Sequence, residues 1–260
     1  MTALPPSRRI ALAGIHNLRD LGGHAHPDGE LAWGRFWRSD SPHDLDGAGA
    51  DSLIERGLVT IIDLREPEEA AQQPNPLAGR IAYHSVPIFG GLDLSLPAIV
   101  DAEDPLLALY CVALAESAAA FARVMRLIAA APAGTILFHC TAGKDRTGLV
   151  AALLLKLAGV ADADIVADYA ETACHIGPVL AALEMRARAR GADVARLSRY
   201  WGSDAVTMQR LLEHLETRHG GVVAYLSAAG LTAAELRSLR LRLGQTAVSA
   251  SSELPLSAQP

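Results

Sequence analysis

The stretch ILFHCTAGKDRTG, Ile136 to Gly148, sets a cysteine, two glycines, a lysine, an aspartate and an arginine directly behind an apolar run. A thiol becomes a strong nucleophile where its surroundings favour the thiolate. The short loop of Thr141, Ala142 and Gly143 can curl so that its backbone N–H groups converge, and a helix starting near Arg146 or Thr147 adds its positive end. One arrangement would then stabilise the Cys140 thiolate and grip a phosphate dianion. Arg146, six positions beyond the cysteine, can hold two phosphate oxygens side by side. Thr147 can donate its hydroxyl to the sulfur, and Lys144 can set charge at the rim or against a substrate oxygen.

The chemistry this implies is phosphate-ester hydrolysis in two steps. Cys140 attacks phosphorus to form a thiophosphate, and water then hydrolyses it. Arg146 and the loop amides stabilise charge on the equatorial oxygens in both steps. The leaving oxygen needs a proton, and Asp145 is the natural acid. Asp93, Asp101 and Asp104, in a polar stretch 36 to 47 positions before Cys140, are the alternative source. A lone cysteine after a strand is commonly a core residue. A nucleotide P-loop would need a glycine upstream that is missing here. The full Cys-x5-Arg-Thr-Gly between an apolar strand and an apolar helix is far more specific than either.

Several elements must position this loop. GTILFHC (Gly134–Cys140), GLVTIIDLRE (Gly57–Glu66) and RIAYHSVPI (Arg80–Ile88) read as strands, the second as a buried parallel one. A helix is expected over roughly Leu106–Ala130, and TGLVAALLLKLAG reads as a buried helix ended by Gly159. Beyond about Ala163 the chain reads as helices: one with an Asp cap at Asp162, one over DAVTMQRLLEHLETRHG, a short one over GGVVAYLSAAG, and one opened by a Thr232/Glu235 capping box. Segments Glu66–Gly79 and Phe89–Pro105 read as surface excursions. This alternation makes the chain α/β. The expected organisation is a single domain over residues 1–245 and a polar tail over 246–260.

Asp63 and Arg65 end a strand whose C-terminus should point at the active crevice, which gives them a supporting role. His139 should fix the loop through backbone hydrogen bonds and point away from the phosphate, because neighbouring strand residues face opposite ways. Asn17, Arg19 and Asp20 form a polar cluster. It reads either as an Asx-turn with a surface ion pair or as a wall buttressing the phosphate loop.

The bulk composition excludes some classes. The 260 residues are 50% hydrophobic with net charge -6, ample for a large core and without the basic stripe of a nucleic-acid binder. Three cysteines, Cys111, Cys140 and Cys174, match no zinc spacing and are a poor disulfide framework. No metal and no cofactor is expected. The N-terminal apolar stretch is too short for a signal-peptide core and no run is long enough to span a bilayer, so a cytoplasmic protein without membrane insertion is expected.

HCTAGKDRTG resembles the His-Cys-x5-Arg-Thr/Ser-Gly signature of the cysteine-dependent protein-tyrosine phosphatases. It is most similar to their atypical bacterial group, whose mycobacterial member also carries Ala-Gly-Lys-Asp-Arg-Thr-Gly. IHNLRDLGG (Ile15–Gly23) resembles that group's Asn-Phe-Arg-Asp motif, and GRFWRSD (Gly34–Asp40) its Gly-Arg-Leu-Phe-Arg-Ser segment. Asp63–Arg65, Ile165–Tyr169 and the ending GVVAYLSAAGLTAAELRSLR also have equivalents, so the likeness covers most of the chain. It implies a phosphatase fold with a central, mostly parallel sheet flanked by helices, and extra C-terminal helices. It implies hydrolysis of phosphotyrosine on proteins or peptides, and a group with reported activity on phosphoserine, phosphothreonine and phosphoinositides. The in-loop lysine and aspartate of the group correspond to Lys144 and Asp145. A two-helix lid in the mycobacterial member would fall at about Arg186–Leu215. The Trp-Pro-Asp acid loop of other tyrosine phosphatases has no counterpart here, and Thr141 stands where the mycobacterial member has an aromatic residue. A lipid-phosphate phosphatase and a phosphate-binding module without turnover are the competing functions.

Overall fold

A computed structural model describes residues 7–90 and 95–244. The chain opens on a short strand, β1 (Arg19–Asp20), a small ribbon of β2 (Ala25–His26) and β3 (Gly29–Glu30), and β4 (Phe36–Ser39). With β5 (Leu58–Asp63), β6 (Ala82–Ser85) and β7 (Thr135–His139), β1 and β4 build a five-stranded sheet in the order β1-β4-β7-β5-β6. All neighbours are parallel except β1, which pairs antiparallel with β4. β5 and β7 lie inside the sheet, as continuous apolar strands must when both faces are covered. Register aligns the C-terminal residues Ser39, His139 and Asp63, so three strand ends meet where the loop begins. Alternation along β7 turns Ile136, Phe138 and Cys140 to the larger core and Leu137 to the smaller one.

The smaller core packs α1 (Gly47–Glu55) against one face through Ala50 and Leu53. The other face carries α4 (Pro105–Glu116), α5 (Ala118–Ala130) and α6 (Asp145–Ala158). The expected single helix over Leu106–Ala130 is thus two, bent by 74° at Ser117. A straight helix of that length would run about 37 Å, past the strands it covers. The bend keeps Leu109 and Tyr110 of α4 and Phe121 and Met125 of α5 on one core. No single helix among the described residues is long and apolar enough to cross a membrane.

α7 (Asp162–Glu171) follows α6, but Ala161 occupies the cap position; the Asp162 carboxylate instead accepts from Lys156 at 2.6 Å. The first expected excursion holds α2 (Pro67–Gln72), started by Pro67 and a reciprocal Glu66/Glu69 capping box. The second holds α3 (Pro97–Val100), which buries Ile99. Asp93 and the tail over 246–260 lie outside the described residues. The expected lid region divides. α8 (Gly177–Ala189) and α9 (Val194–Ser198) bury no residue. α10 (Ala205–His219) is core, burying Met208, Leu211, Leu212 and Leu215, while Val206 at its start is exposed. α11 (Gly221–Ala228) and α12 (Ala233–Arg242), the latter opened by the Thr232/Glu235 capping box, close the helical layer.

Candidate active site

The loop from Cys140 to Arg146 takes its shape from the outward side. The Cys140 carbonyl meets His139 Nδ1 at 3.2 Å, and the Thr141 carbonyl accepts from Ser41 N–H at 3.1 Å. Asn17 Nδ2 donates to the Ala142 and Gly143 carbonyls at 3.1 and 3.2 Å, and Arg38 Nη2 to the Gly143 carbonyl at 2.7 Å. Four successive peptide oxygens are therefore drawn outward. In a trans peptide the N–H opposes the C=O, so the N–H groups of residues 141–144 face the interior of the loop. Among the described residues none of them donates to a protein acceptor. Gly143 makes the turn possible: its φ is +68°, and a Cβ there would lie 2.4 Å from the Ser39 carbonyl carbon.

The groups that hold the loop are themselves held. Arg19 donates to the Asn17 side-chain oxygen and, at 2.8 Å, to the Asp168 carbonyl. Arg38 pairs with the Asp168 carboxylate. All three charged groups are buried. Burial opposes the Asp168 charge, but Arg38 and Arg19 outweigh it and hold its carboxyl below the usual range. The Asp40 carboxylate accepts from the backbone N–H groups of Asn17 and His16 at 2.8 and 3.0 Å. Burial pushes its pKa up to about 6 against those hydrogen bonds. Asp20 does not join this wall: it accepts from Gly22 N, Gly34 N and Trp37 Nε1 at 2.7 to 3.1 Å. It ties the β1–β4 connection instead, because its neighbour Arg19 takes the face toward the loop.

His139 sits beneath the loop, fully buried. Its Nε2 meets Asn75 Nδ2, a donor, at 3.1 Å, so Nδ1 carries the proton and donates to the Cys140 carbonyl. Burial pushes the imidazole pKa down, against the pull of Asp63. Asp63 accepts from Arg65 Nη2 and Tyr83 Oη, each at 2.6 Å. Burial is outweighed there by His139, Arg65 and Tyr83, and the carboxyl sits near 2. Arg65 Nη1 reaches Ser41 Oγ at 2.9 Å. Asp63 and Arg65 thus act on the loop through Ser41 and His139.

Arg146 is nearly enclosed. Nη1 and Nη2 grip the Glu69 carboxylate at 2.5 and 2.8 Å, Nη2 lies 3.3 Å from Thr141 Oγ1, and the guanidinium stands 5.4 Å from the Phe89 ring centroid. Burial works against the charge of Glu69, but Arg146 and Thr141 outweigh it and hold its carboxyl near 2. Two buried polar atoms of the same loop, Arg146 Nε and Thr147 Oγ1, have no partner among the described residues. The expected hydrogen bond from Thr147 to the Cys140 sulfur is therefore not formed. Buried polar groups without partners are rare, and these two share the loop with the inward-facing amides. Cys140 itself is 1% exposed.

Lys144 departs from its expected place at the rim. Its side chain is buried, and Nζ donates to the carbonyls of Tyr200 and Gly202, the latter at 2.8 Å. An ammonium that buries its stem must spend its donors on protein oxygens, and the segment after α9 supplies them. Asp145 opens α6 with its side chain partly exposed. Its Oδ1 accepts from Tyr110 Oη at 2.6 Å and lies 3.1 Å from Lys144 Nζ. It borders a cavity of about 540 Å³ walled largely by apolar groups, among them Phe89, Leu106, Leu109, Leu197 and Trp201. Of the alternative acids, Asp104 caps α4, accepting from Leu107 N and Thr207 Oγ1 at 2.9 Å. Asp101 ends α3, exposed to solvent. A second cavity, of about 270 Å³, lies between Thr141, Glu69, Arg186 of α8 and Arg190 just past its end.

Sequence reading did not single out Glu69, Arg38, Asp168 or Tyr110 for the site. The Glu66/Glu69 capping box was the available signal for the first. GRFWRSD and Ile165–Tyr169 had marked Arg38 and Asp168 only as parts of longer similarities.

Comparison with known proteins gives the same direction. A family model described as "Tyrosine phosphatase family" matches residues 10–245. A tyrosine-protein phosphatase of Nostoc commune is 35% identical over 209 residues, 77% of this chain and 71% of that protein. The triple specificity protein phosphatase PtpB of Mycobacterium tuberculosis is 26% identical over 269 residues, 88% of this chain and 96% of its own.

Proposed function

The chain belongs to the tyrosine phosphatase family, and from that premise we propose that Cys140 is its nucleophile, Arg146 its phosphate clamp and Asp145 its general acid. The observation that carries this reading is the loop itself: four carbonyls tied outward, four amides turned inward, and an enclosed cysteine at their start. Such a ring of donors stabilises a thiolate before substrate arrives and a phosphoryl group afterwards. The Arg146 Nε–H and the Thr147 hydroxyl are further donors without partners among the described residues.

In the first step a bond forms between Cys140 Sγ and phosphorus as the bond to the ester oxygen breaks. Asp145 gives its proton to that oxygen. In the second, water attacks phosphorus, Sγ leaves as thiolate and Asp145 takes the proton of the water. Glu69 holds Nη1 and Nη2 of Arg146, which leaves Nε–H and the second hydrogen of each terminal nitrogen for the phosphate. The Phe89-walled cavity beside Asp145 suits an aromatic leaving group, which favours phosphotyrosine on a protein or peptide. The mycobacterial relative is named for triple specificity, and phosphoserine and phosphothreonine are included in the proposed range. α8 and α9 bury nothing; α9 lines both cavities and α8 the one beside Thr141, and together they act as a lid.

A second reading, phosphoinositide hydrolysis, is favoured by Arg186 and Arg190, one turn apart at the cavity beside Thr141. They could hold a second phosphate; Lys144, spent on carbonyls, could not.

Release of phenol from phenyl phosphate, without added metal, tests the main reading. The parent should turn over and Cys140→Ser should not, while still binding inorganic phosphate. Equal activity in both would remove Cys140 from the role of nucleophile. Phosphate binding without turnover by the parent would leave a binding module.

A further inference from the structure

The two oxygens of Asp145 have different surroundings. Oδ1 takes the Tyr110 hydroxyl at 2.6 Å and faces Lys144 Nζ at 3.1 Å. Oδ2 carries no hydrogen bond among the described residues. Tyr110 is completely buried, and its Oη lies 2.8 Å from that of Tyr169, also buried. A phenol has one proton to give. Tyr110 gives its proton to Asp145, so Tyr169 is the donor in the second contact, and the chain runs from Tyr169 to Tyr110 to Asp145.

This chain is rigid. The two rings meet edge to face at 89°, and a Cβ at Gly148, in the first turn of α6, would lie 3.0 Å from Tyr169 Cδ2. Burial, with Asp145 reinforcing it, pushes both phenols above their ordinary range, so each remains a donor.

We propose that Tyr110, backed by Tyr169, is a positioning residue for the leaving-group proton: by occupying Oδ1 it confines the proton of the acid to Oδ2. The inference rests on the reading of Asp145 as the acid. A carboxylic acid free to turn would present its proton in many directions, and proton transfer falls off steeply when donor and acceptor are misaligned. The step that breaks the bond to the leaving oxygen feels this, and kcat/KM reports that step alone, because hydrolysis of the thiophosphate comes after the leaving group has gone. Capture of the phosphate by the loop does not feel it, since neither tyrosine touches the loop amides.

The experiment compares two esters, phenyl phosphate, whose leaving group needs a proton, and p-nitrophenyl phosphate, whose leaving group departs as the anion. Tyr110→Phe should lower kcat/KM on phenyl phosphate about tenfold. On p-nitrophenyl phosphate the loss should be about twofold or less, with inhibition by inorganic phosphate unchanged. Tyr169→Phe should show the same selectivity with a smaller loss, and it carries the test should Tyr110→Phe not fold. In the Asp145→Asn background, Tyr110→Phe should add no further selectivity. Equal losses on the two esters would overturn the inference and make Tyr110 a packing residue. If Asp145→Asn is itself unselective, the acid assignment fails and this inference fails with it. If Asp145→Asn is selective and neither tyrosine variant is, the positioning role alone fails.

Discussion

At the residue scale the site is a matter of where peptide dipoles point. Asn17, Arg38, Ser41 and His139 meet the loop through its carbonyls, and so decide that its amides face inward. Gly143 is the residue with least freedom to change. Alanine there must hold a φ of +68° and push its Cβ into Ser39, a strain of about 2–3 kcal/mol. Gly143→Ala should abolish turnover and weaken inorganic phosphate binding, measured by calorimetry, at a modest loss of thermal stability. Retained phosphate affinity would mean that the loop does not need this turn. The candidates Cys140, Arg146 and Asp145 could be picked from the sequence because they lie within one loop. Glu69 could not, since it meets Arg146 across 77 positions and sits in a run of charged and small residues that reads as loop. Arg38 and Asp168 were hidden in the same way: an ion pair joining residues 130 apart leaves no local pattern. Asp20 shows the converse, a polar residue beside Arg19 that serves a different turn.

Elements show why parts of the fold were readable. β5 and β7 announce themselves because a strand buried on both faces must be apolar throughout. α6 does so for the same reason, with Lys156 and Asp145 its only residues not fully buried. The break at Ser117 was not readable, because alanine-rich sequence on both sides continues a helix as readily as it ends one. α8 and α9 read as helix, but with arginines and alanines sharing every face they have no stripe to bury. Elements with so little apolar contact open at low free energy. Hydrogen exchange should therefore be fast over 177–198 and slow over α6. Lys144 Nζ holds the segment that follows α9 through the Tyr200 and Gly202 carbonyls. Lys144→Met should speed exchange over 199–204 and over α8 and α9, leaving β5 and β7 protected. Unchanged exchange there would show that the lysine does not restrain these helices.

For the whole molecule, three carboxyls set opposing pH dependences. Glu69 and Asp63 sit near 2 when folded, below ordinary values of 4.5 and 3.8. Their contribution is complete above those ordinary values and is lost as pH falls through about 2. Asp40, at about 6 against 3.8, has the opposite sign: its contribution is complete below its unfolded value and is lost as pH rises through about 6. Urea midpoints followed from pH 3 to 8 should fall at the acid end and decline gently through the range where Asp40 ionises. Asp40→Asn should flatten that decline alone, and Glu69→Gln should flatten part of the acid loss. A parent profile level across the Asp40 range would place that carboxyl in water. Cys140 is 1% exposed, and α8 and α9 line the cavity beside its neighbour Thr141, which makes its own thiol a gauge of the enclosure. Hydrogen peroxide can enter where a fluorescent maleimide cannot, so the ratio of their inactivation rates measures how often the molecule stands open.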